Sequence, residues 1–321
     1  METNKYILEF EKPINDLYKK IDELSILSSD KNKKELNLDI SIIKDKAEKL
    51  REKVYSNLEP IQIVQIARHP ERPLMLDYVK NVFDDFLELH GDRYFGDDTA
   101  LIGGFSNFEG QPVMVIGQQK GASTKMNLYR NFGMPQPEGY RKALRLMKMA
   151  EKFNIPIITL VDTPGAYPGL GSEERGVAEA IAHNLQDMAG LSVPIISIII
   201  GEGGSGGALG IAIGNKVAML KYSIYSVITP EGCAAILWRD AGLSSVAADS
   251  LGIISEKLLE MKVVDEIIEE PLGGAHSDRQ KVYKKVKIFI KKELKRYSKY
   301  SKEKLIQERY DRFRSIGEYY E

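Results

Sequence analysis

The sequence predicts an α/β protein built on a mainly parallel sheet, and three observations carry that prediction. Short apolar runs at Pro112–Ile116, Ile155–Val161 and Val193–Ile200 each lead into a glycine-bearing turn and then a helical pattern. The runs are apolar at every position rather than alternating, as strands buried on both faces require. Two of the units also resemble one another, Asn154-Ile-Pro-Ile-Ile-Thr-Leu160 beside Ser192-Val-Pro-Ile-Ile-Ser-Ile198. Repeated strand–turn–helix units favour a right-handed parallel arrangement, in which chemistry gathers where strands end and helices begin.

Ahead of these units, residues 1–60 read as a helical region. Ile14, Leu17, Ile21 and Leu24 mark one apolar stripe and Ile40, Ile43, Ala47, Leu50 and Val54 a second, with Ser28-Ser-Asp-Lys-Asn32 as a polar break between them. His69-Pro-Glu-Arg-Pro73 closes the region, because two prolines three apart oppose a continuous helix. Residues 61–280 hold the strand–turn–helix units. Residues 281–321 form a basic helical tail, with Val282, Val286, Phe289, Ile290 and Leu294 at spacings of three and four.

Composition narrows the class. The 321 residues are 43% hydrophobic and 28% charged, which fits one large soluble domain or two modest ones. The net charge of −1 argues against a surface that is electropositive throughout. It conceals an asymmetry, since residues 281–321 carry +8 and the rest −9. The Lys-rich face of that tail reads first as a solvated helix face and second as a surface for an acidic partner or a polyphosphate. A lone cysteine, Cys233, excludes an intrachain disulfide framework and a multi-cysteine metal site, and fits a small core residue. The start, Met-Glu-Thr-Asn-Lys-Tyr, has no signal-peptide pattern, and the apolar run Val193–Ile200 is too short to span a bilayer. A cytoplasmic protein is expected.

The stretch most indicative of chemistry is Gly201-Glu-Gly-Gly-Ser-Gly-Gly-Ala-Leu-Gly210, directly after a buried strand. A helix starting near Gly206 would aim its first unpaired N–H groups out of the turn, where an anion or a developing oxyanion would be held. Several motifs fit the same residues less well. Gly201, Gly203 and Gly206 match G-x-G-x-x-G, but the following run, Lys216–Ile228, ends without the acidic residue that would take ribose hydroxyls. A P-loop needs Lys-Ser/Thr where the chain has Gly207-Ala208, and Asp162-Thr-Pro-Gly165 carries little weight as a GTPase element without one. Gly203-Gly-Ser205-Gly-Gly207 fits the nucleophile-elbow pattern, with Ser205 as nucleophile, His183 as base and Asp187 or Asp162 as orienter. The spacing of His183 and Asp187 suits an ordinary helical pair equally well. The loop Gly165–Gly171 offers a second surface, with a donor near Ala166 and Ser172 capping a helix that runs to Gly190. Lys120, Lys125, Arg130, Arg141 and Arg145 read as a basic cluster around the first loop, suited to phosphate or carboxylate. Trp238 is expected in packing, and His69, His90 and His276 lack a metal-ligand spacing.

In order along the chain, eight segments carry a family resemblance. They are Glu9-Phe-Glu-Lys-Pro13, Gln65 to Pro73, Leu89-His-Gly-Asp-Arg93, Gly117-Gln-Gln-Lys-Gly121, Asn131-Phe-Gly-Met-Pro135, Asp162 to Gly169, Gly201 to Leu209 and Thr229 to Asp240. Together they resemble the α-subunit family of the carboxyltransferase of bacterial acetyl-coenzyme A carboxylase, from about residue 7 to the segment Arg309–Gly317. The chain departs from the family at Leu58-Glu-Pro-Ile-Gln62, at Ser277-Asp-Arg279 and after Asp240. These departures bear on peripheral packing and subunit contacts more than on the glycine turns.

The resemblance implies a crotonase-like spiral of ββα units over residues 61–280. It implies transfer of a carboxyl group from carboxybiotin, borne on the biotin carboxyl carrier protein, to acetyl-CoA to give malonyl-CoA. The implied partners are a carboxyltransferase β subunit in an α2β2 assembly and, upstream, biotin carboxylase. No metal is expected in this chain, since the family's cysteine-built zinc ribbon belongs to the β partner. Negative charge would develop on the biotin ureido oxygen and on the thioester oxygen, where backbone donors lower the barrier without a nucleophilic side chain. The expected donors are Gly206 and Gly207. Gly165 and Ala166 are the second choice, with Gly203, Gly204, Lys120 and Gly121 contacting substrate. A serine hydrolase using Ser205 and a non-catalytic scaffold subunit are the alternatives.

Overall fold

The computed structural model describes residues 6–27 and 33–317, so the expected polar break at Ser28–Asn32 lies outside the described residues. Helices α1 (Lys12–Leu27) and α2 (Lys33–Tyr55) form the expected pair and bury Ile14, Ala47 and Tyr55. A third helix, α3 (Pro60–Ala67), starts on Pro60, whose missing N–H costs nothing at a first helical position. The two prolines at 70 and 73 lie between α3 and α4 (Met75–Val82), where no helix continues. Arg72 of that turn is buried; it donates to the Ile200 carbonyl at 2.8 Å and pairs with Glu270 at 2.8 Å.

Among the described residues the core is one eight-stranded sheet. The strands are β1 (Asp84–Glu88), β2 (Leu101–Phe108), β3 (Gln111–Gln118), β4 (Ile157–Thr163), β5 (Ile195–Gly204), β6 (Lys216–Leu220), β7 (Ile224–Ser226) and β8 (Glu266–Ile268). Their order is β1-β2-β3-β4-β5-β6-β8, with β7 paired to the far end of β5. From β3 onward every pairing is parallel, as the strand–turn–helix repeats predict. The β1-β2-β3 portion is antiparallel, and the sequence reading did not foresee it. Its tight turn is Glu109-Gly110, both at positive φ, the backbone a two-residue hairpin demands.

The all-apolar strands are buried on both faces. Ile158, Leu160, Ile196 and Ile198 pack with α4 and with α13 (Arg279–Tyr297), through Val282, Val286, Phe289, Ile290 and Leu294. Ile157, Val161, Ile195 and Ile199 face the other layer, made of α6 (Pro137–Lys152), α8 (Val177–Gly190) and α9 (Ser205–Ala212). The helices α5 (Thr124–Tyr129), α7 (Leu170–Glu174), α10 (Pro230–Trp238), α11 (Ser244–Leu251), α12 (Ser255–Glu260) and α14 (Lys302–Arg314) complete the described chain.

Three local expectations need correction. Ser172 is not a cap but a buried residue inside α7, whose N-cap is Gly169. The helix expected from there to Gly190 is broken at Gly176, which sits at φ +77. The glycine-rich segment does not begin as a turn: β5 stays extended through Gly204 and passes directly into α9 at Ser205.

Candidate active site

The ends of β4 and β5 bring two chain segments into backbone contact. A Cβ added at Gly207 would overlap the Gly165 carbonyl carbon and stand 2.5 Å from the Ala166 nitrogen. A Cβ at Gly204 would overlap the Pro164 carbonyl. The first turn of α9 therefore lies directly on Pro164–Ala166, an approach open only to glycine. Gly206 differs from its neighbour, since its Cβ would meet nothing nearer than Ile181 at 3.8 Å. The structure thus joins the two expected donor pairs, Gly206–Gly207 and Gly165–Ala166, at one place.

The donors themselves follow from helix geometry. The first N–H groups of α9 have no intrahelical partner, and Gly204 at the N-cap has no side chain to take them. Across the contact, the Gly165 N–H donates to Thr163 Oγ1 at 3.1 Å, while that hydroxyl donates to the Gly165 carbonyl at 2.6 Å. Gly165 is therefore corrected from donor to packing partner. The Ala166 N–H makes no hydrogen bond among the described residues and remains available. Beside Ser205 and Gly206 opens an apolar cavity of about 400 Å³, lined by Leu209, Val217, Tyr225, Leu258 and Phe313.

Polar side chains buttress the strand ends from behind. Lys120 contacts Asp162 Oδ1 at 2.8 Å and Glu202 Oε2 at 2.7 Å. Asp162 Oδ1 also accepts the Glu202 N–H at 2.9 Å. Arg68 donates to Glu202 at 2.6 Å and to Glu231 at 2.7 Å. Burial alone would lower the Lys120 pKa, but the Asp162 and Glu202 charges outweigh it and hold it above its ordinary value. Burial would likewise raise Glu202, yet Lys120 and Arg68 hold it down at about 2. Lys120 is therefore an internal brace, not the free phosphate-binding cation expected of it.

The remaining expected site residues disperse. Gly121 uses its N–H on Asn127 at 2.9 Å, and Gly203 has the Tyr225 ring 2.7 Å from where a Cβ would stand. Gly203 and Gly204 are thus packing positions. Apart from Lys125, which is exposed, the basic cluster is not an open patch. Arg141 pairs with Asp92 at 2.9 Å, Arg130 donates to the Thr99 carbonyl at 2.7 Å and Arg145 to the Gly91 carbonyl at 3.1 Å. The loop 90–99 lies against these residues and takes up their donors.

The serine triad does not assemble either. Ser205 has a left-handed backbone at φ 53, as an elbow residue would, but no hydrogen bond joins it to a histidine among the described residues. His183 is exposed and lies 3.4 Å from Glu179, while Asp187 pairs with Lys148 at 2.5 Å. His69 and His276 stack on one another with ring centroids 3.6 Å apart. Among the described residues no group of three His, Cys, Asp or Glu is placed to hold a metal ion, and no helix is long and apolar enough to cross a membrane. Trp238, expected in packing, is 40% exposed beside the more exposed Ile236 and Leu237.

Sequence reasoning passed over Gln118, Tyr140 and Arg68, which all bear on this site. The one available signal was polar residues, Gln118-Gln-Lys120, closing an otherwise apolar strand.

Residues 7–317 match the family described as acetyl co-enzyme A carboxylase carboxyltransferase-like. The chain is similar to the acetyl-coenzyme A carboxylase carboxyl transferase subunit alpha of Geobacter metallireducens, with 55% identity over 99% of each chain. It is similar to that of Edwardsiella ictaluri, with 53% identity over 97% of this chain and 98% of the other. Among solved structures it resembles transcarboxylase 12S with a TM-score of 0.53 at 21% identity, covering 67% of this chain and 41% of that one. It also resembles the Pseudomonas aeruginosa geranyl-CoA carboxylase beta subunit with a TM-score of 0.55 at 17% identity, covering 71% of this chain and 42% of that one. The chain thus spans about two-fifths of those larger proteins. The likeness is one of fold, the crotonase-like fold.

Proposed function

The chain belongs to the acetyl-coenzyme A carboxylase carboxyltransferase family, in the α-subunit branch, and from that premise we propose how its own residues serve the transfer that gives malonyl-CoA from acetyl-CoA. Carboxybiotin on its carrier protein supplies the carboxyl group. The part of this chain is to hold an oxygen on which negative charge accumulates, through the N–H groups of Gly206 and Gly207, with Ala166 reaching the same place from the β4 loop. The observation that supports this reading is the lodging of Gly207 against Gly165–Ala166, which brings the first turn of α9 onto the β4 loop with no side chain between them. The setting suits a bicyclic urea, whose polar carbonyl would meet the donors while its apolar body faces the adjoining cavity of about 400 Å³.

Fixed donors act by preorganisation. They need no rearrangement as charge develops, and each is worth roughly 2.7–4 kcal/mol in comparable oxyanion sites. The helix dipole of α9 adds positive potential at the same end. No nucleophile or acid–base pair within this chain is required by such a scheme. Gly203, Gly204, Gly121 and Lys120 then serve as supports that keep the two loops in place. Acetyl-CoA binds mainly to a β subunit, the chain works in an α2β2 assembly in the cytoplasm, and biotin carboxylase recharges the carrier. The exposed apolar side chains of Ile236, Leu237 and Trp238 on α10 support the need for a partner subunit.

The test is to co-express the chain with a β subunit and to assay malonyl-CoA decarboxylation. Gly206→Pro removes one donor in the first turn of α9, and activity is expected to fall about 10²-fold or more in complexes that still assemble. Ser205→Ala is expected to retain activity. Full activity of an assembled Gly206→Pro complex would refute the donor assignment, and labelling of Ser205 by a fluorophosphonate would favour a hydrolase.

A further inference from the structure

Gln118 is the last residue of β3 and is wholly buried. Its Oε1 accepts the N–H of Asp162 at 3.1 Å, near the end of β4. Its Nε2 donates to the carbonyl of Gly207 at 3.2 Å, in the first turn of α9. One side chain from a third strand therefore ties together the two segments whose loops meet at Gly207 and Ala166. The fully buried Tyr140 hydroxyl donates to the same Gly207 carbonyl, also at 3.2 Å.

We propose that Gln118 is a positioning residue for the carboxyl transfer: it fixes the Gly207–Ala208 peptide, next along the helix turn from the Gly207 N–H, and sets the separation of the two donor loops. The proposal rests on the reading of Gly206, Gly207 and Ala166 as the oxyanion donors. Its chemical basis is that the site demands a donor and an acceptor on one planar group. The Asp162 N–H calls for an acceptor and the Gly207 carbonyl for a donor, and at neutral pH the Gln118 amide in a single orientation satisfies both. Burial leaves no water to substitute for either bond. A carbonyl that accepts from Gln118 and Tyr140 together cannot rotate without losing both bonds. The N–H groups of the same turn are held with it. A displacement on the order of 1 Å at such a site costs about 10²-fold in rate.

The test compares variants in the assembled α–β complex by malonyl-CoA decarboxylation. Gln118→Glu is isosteric, still accepts from Asp162, and when ionised turns an anionic oxygen toward the Gly207 carbonyl. The expected result is a kcat lowered by about 30- to 100-fold with KM for malonyl-CoA within about threefold. Partial recovery is expected between about pH 8 and pH 6, as the introduced carboxyl gains a proton and can donate again. The titratable groups facing that position are Asp162 and Tyr140, and both remain in the Gln118 variants. Gln118→Leu should lose kcat without recovery at low pH. Tyr140→Phe should lose less than about fivefold, since Gln118 still holds the carbonyl.

Wild-type kcat in assembled Gln118→Glu, or a loss identical to Gln118→Leu at every pH, would overturn the proposal. If Gln118→Glu does not assemble, Gln118→Asn, one methylene short, must lower kcat, and wild-type kcat there would overturn it equally. Gly206→Pro run alongside separates the two ideas. If that variant stays active, the donor reading fails whatever Gln118 does. If it is inactive while the Gln118 variants are normal, only the positioning role fails.

Discussion

The β5–α9 junction and the α13–α14 segment are the two stretches the sequence marks most strongly, one by glycine and one by charge, and the structure uses them in opposite ways. At the junction the absence of side chains lets backbone meet backbone, at Gly204 against Pro164 and at Gly207 against Gly165–Ala166. The first N–H groups of α9 are left there without an intrahelical partner. In the C-terminal helices, many of the charges are used within the chain. Arg309 is 1% exposed and donates to the carbonyls of Met188, Leu191 and Val193 and to Asn215. Arg312 pairs with Asp265 at 2.8 Å, Lys292 with Glu266 at 2.7 Å and Arg296 with Glu308 at 2.6 Å. Part of the net +8 over that stretch is therefore balanced by acids elsewhere in the chain, at Glu109, Asp265 and Glu266. Conspicuous charge proved to be architecture, and the residues with no side chain at all carry the proposed chemistry.

The sharpest way to break this contrast lies within the glycine run. Gly207→Ala must push a methyl group into the Gly165–Ala166 backbone and should lower decarboxylation in the assembled complex about 10²-fold or more. Gly206→Ala meets only an ordinary contact with Ile181 at 3.8 Å and should stay within about threefold of wild type, because its N–H is retained. Equal effects at the two positions would mean that the glycines serve the turn alone.

The C-terminal side predicts a stability effect without a catalytic one. Burial pushes Arg309 down to about 10, so it remains charged at neutral pH and dependent on its carbonyl acceptors. Arg309→Leu strands those carbonyls and should cost roughly 3 kcal/mol in urea unfolding, with activity per folded complex unchanged. Lys291→Ala, at the exposed pair with Glu109, should leave the urea midpoint where it is.

A smaller destabilisation than that of Arg309→Leu concerns the brace that joins the strand ends. Glu202 titrates at about 2 in the folded chain and near 4.3 when unfolded, a depressed carboxylate. Its contribution is complete above about pH 4.3 and is lost as pH falls through about 2. Glu202→Gln should therefore lose on the order of 2 kcal/mol at neutral pH, and urea midpoints of variant and wild type should converge below about pH 4. A constant gap down to about pH 3 would mean that Lys120 and Arg68 do not hold that charge.

The legibility of the sequence tracked the range of the interactions. Strands with Ile at successive positions announced burial on both faces, and the heptad-like spacing of Val282, Val286, Phe289 and Leu294 announced a buried helix face. Both are local periodicities set by backbone geometry. The antiparallel hairpin at Glu109-Gly110 escaped because β2 reads as Leu101-Ile-Gly-Gly-Phe, where two glycines interrupt the apolar run. Those glycines are themselves close-contact positions, Gly104 beneath the Leu87 backbone and Gly103 beneath Leu146. The site was half legible. Gly207 lies against Gly165–Ala166, two segments the sequence had singled out, while Lys120, chosen for its charge, turned out to be neutralised by acids 42 and 82 residues away.

By itself, then, the sequence determined the two-sided burial of the strands, their parallel order from β3 onward, the helical pair at the start, the family, and the place along the chain where helix N–H groups would emerge. Each of these depends on residues close in sequence, or on ordered motifs that need no coordinates. Only the tertiary structure decided which glycine is packed and which is open, that Gly165 satisfies its own N–H, that Lys120 braces instead of binding, and that Gln118 links Asp162 to Gly207. Those outcomes depend on distances of a few ångströms between segments brought side by side by the sheet, and side-chain identity along a chain does not encode such distances until the strands are packed.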